Sequence, residues 1–228
     1  MTLSDGASPI LTTGDLVFFS GKGIASHIVK GFTLNRWSHV GMVVSWPGQT
    51  EPLMIEATRA NDSADVLSGQ LQSGVSLVSL SSKLAAYRGE IAFRRRQGDP
   101  LSPWQCRLLV RLCRTLWRRP YRDYVTCHAL MTIRGCPRKG DYRGVFCSEL
   151  VAELYRRMGW LSCERPAYHY VPASLASEAL VLRQGTLSPL TPLKTNDGLL
   201  PDTLAIAQQI AGRETPLQPQ LHAAVSPL

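Results

Sequence analysis

Cys147 begins a segment whose residue types and spacing are suited to nucleophilic chemistry. The apolar residues after it recur on one helix face, at Leu150, Val151, Leu154, Tyr155 and Met158. This pattern predicts an amphipathic helix with Cys147 in its first turn, pointing toward the buried face. There the helix dipole and the free backbone N–H groups favour a thiolate and can bind an oxyanion. The alternative interpretation is a buried cysteine that acts only as a small apolar residue.

A thiol becomes a candidate nucleophile when a histidine can take its proton, and His39 is placed to do so. Residues 37–44 predict a strand whose period of two puts His39 on one face, and residues 53–58 predict the return strand of a hairpin. In such a hairpin His39 faces a position about two residues from Glu56, within roughly 5–8 Å. Cys147, His39 and Glu56 therefore form a candidate catalytic set, with Glu56 orienting the imidazole. The alternative for Glu56 is an exposed charge on a solvated face.

The remaining pattern predicts an α+β domain that positions these residues. Further strands are expected over 16–19, 75–80 and 90–96, and an amphipathic helix over 103–119 has Cys106 and Cys113 on its apolar face. A helical turn is expected over 82–87. Other helices are predicted over 23–34, which carries His27, over 125–133, which carries Cys127 and His128, and over 173–180 and 203–211.

One edge of the helix over 103–119 is basic. Arg107, Arg111, Arg114 and Arg118 fall along it, and the run Arg94–Arg96 adds further positive charge. A solvated basic face is one interpretation, and contact with an anionic membrane surface is the other. The aromatic residues do not alternate with the basic ones, and no nucleic-acid motif is present, so the sequence disfavours a nucleic-acid partner.

Composition sets the broad class of protein. The chain of 228 residues is 44% hydrophobic and 18% charged, with a formal net charge of +8. These values indicate one folded domain with an appendage. The six cysteines show no zinc-finger spacing, and no second histidine is spaced to join His39, so neither a metal nor another cofactor is predicted. Without a recognisable signal peptide or transmembrane segment, the expected location is the cytoplasm.

Four blocks of the chain resemble the circularly permuted branch of the NlpC/P60 papain-like superfamily, in particular its YiiX/YebB-like group, related to lecithin:retinol acyltransferase-like enzymes. The blocks occur in permuted order, with the histidine before the cysteine, and are LTTGDLVFFS (11–20), WSHVGMV (37–43), MIEA (54–57) and FCSELV (146–151). The resemblance implies a central antiparallel sheet with packed helices, with Cys147 as nucleophile, His39 as base and Glu56 as orienting group. It also implies that Tyr121 or Tyr124 lines a substrate pocket.

The resemblance divides the chain into an N-terminal extension (1–10), a catalytic domain (11–180) and a C-terminal extension (181–228). It predicts a cysteine-dependent hydrolase or acyltransferase that acts on an amide, ester or thioester. Both a peptide and a lipid acyl group remain open as substrates. The competing prediction is a binding module on a papain-like scaffold that has lost its activity.

Overall fold

The computed structural model describes residues 11–21, 36–59, 62–122, 144–195 and 198–199. The helices predicted over 23–34, 125–133 and 203–211, and with them His27, Cys127 and His128, lie outside the described residues. The described strands are β1 (Leu16–Gly21), β2 (His39–Val44), β3 (Leu53–Thr58), β4 (Gly74–Ser79), β5 (Gly89–Arg94), β6 (Arg96–Gln97), β7 (Thr186–Leu187), β8 (Thr191–Thr195) and β9 (Gly198–Leu199). The described helices are α1 (Leu80–Ala86), α2 (Pro103–Leu116), α3 (Cys147–Arg157) and α4 (Pro172–Ala176), with a 3₁₀ turn at Ala167–His169.

Seven of these strands form one antiparallel sheet in the order β4-β3-β2-β1-β5-β8-β9. The first four strands of this order are consecutive along the chain and form an antiparallel meander, with a short turn between β2 and β3 and a longer connection between β3 and β4. Strands β6 and β7 pair separately. The expectation of an α+β fold with a central antiparallel sheet is confirmed at this level.

Both faces of the sheet are buried. On the first face, side chains such as Phe18, Val40 and Ile55 form one core cluster with the apolar sides of α2 and α3. On the second face, Phe19 and Met54 join α1 in a separate cluster. Burial on both faces explains why β1 and β2 read as nearly continuous apolar runs. Each fully buried large apolar side chain contributes roughly 1.5–3 kcal/mol to this core.

Helix α2 starts where its sequence predicts and stops earlier. Ser102 caps it by accepting a hydrogen bond from the Gln105 N–H, and Pro103 occupies the first turn. The helix ends at Leu116 rather than Arg119, because the backbone N–H of Arg118 donates to the carbonyl of Val75 in β4 (3.0 Å). Cys113 is buried as expected, but the prediction for Cys106 is wrong. Cys106 is exposed because the buried stripe of α2 begins only at Leu109.

Arg94 holds the segment after α4 against the sheet. Its side chain is 2% exposed, and its guanidinium donates to four carbonyl oxygens, those of Leu175, Ser177, Leu187 and Ser188 (2.7–3.3 Å). Arg94 therefore adds nothing to a basic surface, which corrects that part of the sequence interpretation. Its neighbours are also engaged: Arg95 lies 3.8 Å from the Asp15 carboxylate, and Arg96 stacks on Trp160. These hydrogen bonds of Arg94 form the Arg94 clasp. Next to it, β8 pairs with β5 and extends the sheet.

None of the helices in the described ranges has the length and apolar character that crossing a bilayer requires.

Replacing Arg94 tests how far the C-terminal segment depends on this clasp. Arg94→Met removes the donors of four carbonyl groups, two of which accept in buried hydrogen bonds, so we expect the free energy of unfolding to fall by about 3 kcal/mol or more. Urea denaturation followed by circular dichroism measures the change. Arg88→Met, at an exposed position, is the matched control and should change the value by less than about 0.5 kcal/mol. Equal effects of the two variants would contradict the role of Arg94.

Candidate active site

The site forms where the start of β2 meets the start of α3. His39 is the first residue of β2, and Cys147 is the first residue of α3. A side-chain hydrogen bond joins His39 to Cys147. On its other side, His39 Nε2 lies 2.6 Å from Glu56 Oε2, which leaves Nδ1 as the nitrogen for the thiol. The structure thus brings together the three residues that the sequence singled out.

The hairpin geometry accounts for the pairing of His39 with Glu56. In the register of β2 and β3, Met42 pairs with Ile55, so Glu56 lies two positions diagonally from His39. The Glu56 side chain is fully buried. The alternative interpretation of Glu56 as an exposed charge on the hairpin is therefore wrong. Its carboxylate instead points into the second face of the sheet, beneath α1.

Several contacts fix the start of α3. Phe146 offers no side-chain cap, and the Glu149 carboxylate instead accepts a hydrogen bond from the Phe146 N–H (3.3 Å). The first bond of the helix runs from Leu150 N–H to Phe146 O. In the described part of the chain, the N–H groups of Cys147 and Ser148 have no carbonyl acceptor, so they are free to bind an oxyanion. Burial raises the pKa of Glu149 to about 7.

The rest of α3 is anchored to the sheet through Tyr155. Its hydroxyl donates to the Gly14 carbonyl, and the Gly14 N–H donates in turn to Val43 O of β2 (2.9 Å). The apolar residues predicted for the buried face, Leu150, Val151, Leu154 and Tyr155, have no exposed surface. This packing holds the helix against β2 and β3 and so fixes Cys147 beside His39.

The electrostatics of the site favour a charged imidazole. Burial by itself lowers the pKa of His39, but the hydrogen bond and charge of Cys147, and then those of Glu56, outweigh it and raise that pKa to about 9. His39 is therefore an imidazolium at neutral pH, held between two groups that are anions when ionised. The His39 side chain remains 17% exposed, and Cys147 is 5% exposed. Among the described residues, His39 is thus the more exposed member of the pair.

Lys83 is a member of the site that the sequence analysis missed. Its Nζ lies 2.9 Å from Glu56 Oε1 and 2.8 Å from Asp62 Oδ1, and its side chain is 5% exposed. Burial alone would raise the pKa of Glu56, but His39 and then Lys83 lower it below its ordinary value. Glu56 is thus kept ionised between two cations. The available signal was the spacing of Leu80, Lys83 and Leu84, which places a lysine on the apolar side of α1.

Aromatic side chains screen the imidazole from solvent. The centroid of the Phe19 ring lies 5.5 Å from that of His39 and 4.8 Å from that of Tyr87. Burial, followed by the charges of Asp62 and Glu56, raises the pKa of Tyr87 to about 12, so its hydroxyl stays neutral. A hydrogen bond with Ser38 orients that hydroxyl. These rings lower the local polarity around His39 and so strengthen its interaction with Glu56.

The two tyrosines that the resemblance suggested for substrate binding have different outcomes. Tyr121 is half-buried, and its backbone forms a bridge with Val145, two residues before Cys147. This backbone pairing fixes the position of the residues that directly precede α3. Tyr124 lies outside the described residues. A role of either residue in substrate binding stays a prediction.

Metal-binding side chains are not clustered in the described ranges, where no group of three or more His, Cys, Asp and Glu residues is placed to hold an ion.

Among known proteins, the chain is similar to a solved structure but to no family model or curated sequence. No family model matches the chain, and no curated protein matches it in sequence. The crystal structure of the metalloprotein YiiX from Escherichia coli O157:H7 is similar, with 20% identity over 82% of this chain and 98% of that chain and a TM-score of 0.47. The match assigns no role to any residue.

The link between Cys147 and His39 predicts a measurable titration. Because the thiol group is the largest upward influence on the pKa of His39, we expect that imidazole to titrate near pH 9 in the wild type and clearly lower in Cys147→Ser. NMR of the imidazole resonances against pH measures both values. Cys106→Ser changes an exposed cysteine and should leave the midpoint in place. An unchanged midpoint in Cys147→Ser would contradict the contact.

Removing Lys83 should leave the Glu56 carboxylate with one cation fewer in a fully buried position. We expect Lys83→Met to lower the free energy of unfolding by about 3 kcal/mol or more. Asp62→Asn should cost less, because the Asp62 side chain is 46% exposed. Chemical denaturation of the two variants gives the order. An effect of Lys83→Met no larger than that of Asp62→Asn would contradict the role of Lys83 in stabilising the buried Glu56 carboxylate.

Proposed function

We propose that this chain is a cysteine-dependent acyl hydrolase or acyltransferase on a permuted papain-like scaffold of the NlpC/P60 type. The observation that carries the proposal is the position of His39, which bridges Cys147 at a helix start and a fully buried Glu56. This is the arrangement that a thiol nucleophile needs, with a base beside it and a third group that orients the base. The permuted order follows from the sequence, since His39 precedes Cys147.

In the first half of the reaction, the Cys147 thiolate attacks the acyl carbon of an amide, ester or thioester. A carbon–sulfur bond forms, and the carbonyl oxygen becomes an oxyanion that the N–H groups of Cys147 and Ser148 stabilise. As the bond to the leaving group breaks, the His39 imidazolium donates its proton to the departing nitrogen, oxygen or sulfur. The products of this half-reaction are an acyl-enzyme and a neutral imidazole.

The charge balance of the site helps the second half-reaction. Acylation removes the negative charge of Cys147, and that charge supports the raised pKa of His39. The pKa of His39 is therefore lower in the acyl-enzyme, and its imidazole stays neutral. As a neutral base it can take a proton from water or from an acceptor alcohol or amine. That nucleophile attacks the thioester, the carbon–sulfur bond breaks, and the thiolate–imidazolium pair is restored. Glu56 keeps the ring oriented throughout, with Lys83 as its positioning partner.

The reactivity of individual cysteines tests the proposal directly. We expect iodoacetamide at pH 7 to modify Cys147 at least about 100-fold faster than Cys113, although both are buried, because only Cys147 has an imidazolium partner. Burial raises the pKa of the Cys113 thiol to about 12, which makes it the internal control. Peptide mass spectrometry reads each cysteine separately. His39→Ala should slow Cys147 by about tenfold or more and leave Cys113 unchanged.

Hydrolysis of an activated ester, such as p-nitrophenyl acetate, extends the same test to turnover. Activity should be lost in Cys147→Ala and retained in Cys106→Ala. If Cys147 reacts no faster than Cys113 in a folded protein, the proposal is wrong and the chain is a binding module on this scaffold.

A further inference from the structure

The outer side of α2 carries a cluster of positive charge. At about 100° per residue, Trp104, Arg107, Arg111 and Arg114 fall within about 80° of one side of the helix. All four are exposed, and the exposed fraction of Trp104 is 62%. Arg118, which the sequence placed on the same edge, lies beyond the end of the helix and stacks on Trp117 at 4.7 Å. The basic side of α2 therefore consists of three arginines and one tryptophan.

No carboxylate neutralises these arginines within the described ranges. Helix α2 contains no Asp or Glu, and none of the described acidic groups lies within 4.0 Å of Arg107, Arg111 or Arg114. Some arginines elsewhere on the surface are paired, for example Arg36 with Glu90 and Arg157 with Glu153 (both 2.7 Å). Three neighbouring guanidinium groups on one helix thus create a local positive potential that no carboxylate of the described residues offsets.

The same arginines border a groove of about 790 Å³ between α2 and the turn after β2. Its other lining is largely apolar, from Trp46, Pro47 and Val110. The Arg114 guanidinium lies 5.6 Å from the centroid of the Trp46 ring, so the charged and apolar sides meet directly. The groove therefore offers guanidinium donors beside a short apolar surface.

This groove is separate from the candidate active site. β2 runs from His39 to Val44, which at ~3.3 Å per residue separates its two ends by about 17 Å, and Trp46 lies two residues beyond Val44. Neither Cys147 nor Glu56 lines the groove. Its ligand is consequently not required to be the substrate of the cysteine site.

We propose that the basic side of α2 and its groove dock the protein on an anionic phospholipid bilayer. Guanidinium groups bind phosphate oxygens through paired hydrogen bonds, and three neighbouring ones that have no carboxylate partner among the described residues match a surface of phosphate headgroups. A tryptophan beside them is suited to the headgroup region. The apolar wall formed by Trp46, Pro47 and Val110 covers the upper part of an acyl chain.

Vesicle sedimentation tests the docking. The full chain should bind vesicles of phosphatidylcholine mixed with phosphatidylglycerol, should not bind phosphatidylcholine alone, and should be released by salt. Because each arginine near an anionic surface contributes about fivefold, Arg107→Gln/Arg111→Gln should bind about 25-fold more weakly. The matched control, Arg88→Gln/Arg183→Gln, makes the same change in net charge at exposed positions elsewhere. Equal weakening by both pairs would overturn the proposal, because binding would then follow net charge alone.

Cys106 reports on the groove itself. It lines the groove and is exposed, whereas Cys163 is exposed in the loop after α3. Mixed vesicles should slow the alkylation of Cys106 at least about fivefold relative to Cys163, by mass spectrometry. Equal protection of both cysteines, or protection of neither, would overturn the proposal. So would protection of Cys106 by a single-stranded oligonucleotide but not by vesicles, which would assign the groove to nucleic acid.

Discussion

Glu56 carries its charge with no exposed surface, and the surrounding elements are arranged around the two cations that stabilise it. An isolated carboxylate in such a position would cost several kcal/mol and would take up a proton instead. His39 from β2 and Lys83 from α1 prevent this, and each contacts a different oxygen of Glu56. The β2–β3 hairpin, helix α1 and the ring of Phe19 must therefore all be placed so that the buried charge of Glu56 stays paired. Any packing that moved Lys83 away would also disturb the imidazole that faces Cys147.

The contact between His39 and Cys147 has an unusual origin in the fold. Helix α3 packs on the first face of the sheet, while the period of β2 directs His39 toward the second face. The side chains of His39 and Cys147 meet because His39 is the first residue of β2 and Cys147 is the first residue of α3. At that end of the strand, the sheet does not lie between its two faces. The dyad is thus made at an end of the sheet rather than across it, which leaves one side of His39 open to solvent.

Local patterns predicted much of this site, and the missing parts are those that depend on distant contacts. The period of two in β2 and β3 brought His39 to Glu56, and the helical period after Cys147 gave α3 and its buried face. No local pattern could show that α3 packs against that hairpin, and only the family resemblance suggested it. Lys83 escaped notice because α1 is short and Asp62 lies across a loop. Arg94 was misjudged because a run of three arginines suggests a surface, whereas its carbonyl partners lie more than 80 residues away.

The place of β8 beside β5 has a consequence for how the chain can be shortened. Residues 191–195 cover a strand that would otherwise be the edge of the sheet, and Arg94 fastens the segment that leads to them. A fragment that ended at residue 180 would keep Cys147, His39 and Glu56 but would expose the backbone donors and acceptors of β5. An uncovered, largely apolar strand of this kind invites pairing with another copy. Such a fragment would then lose activity through self-association and not through loss of Cys147, His39 or Glu56.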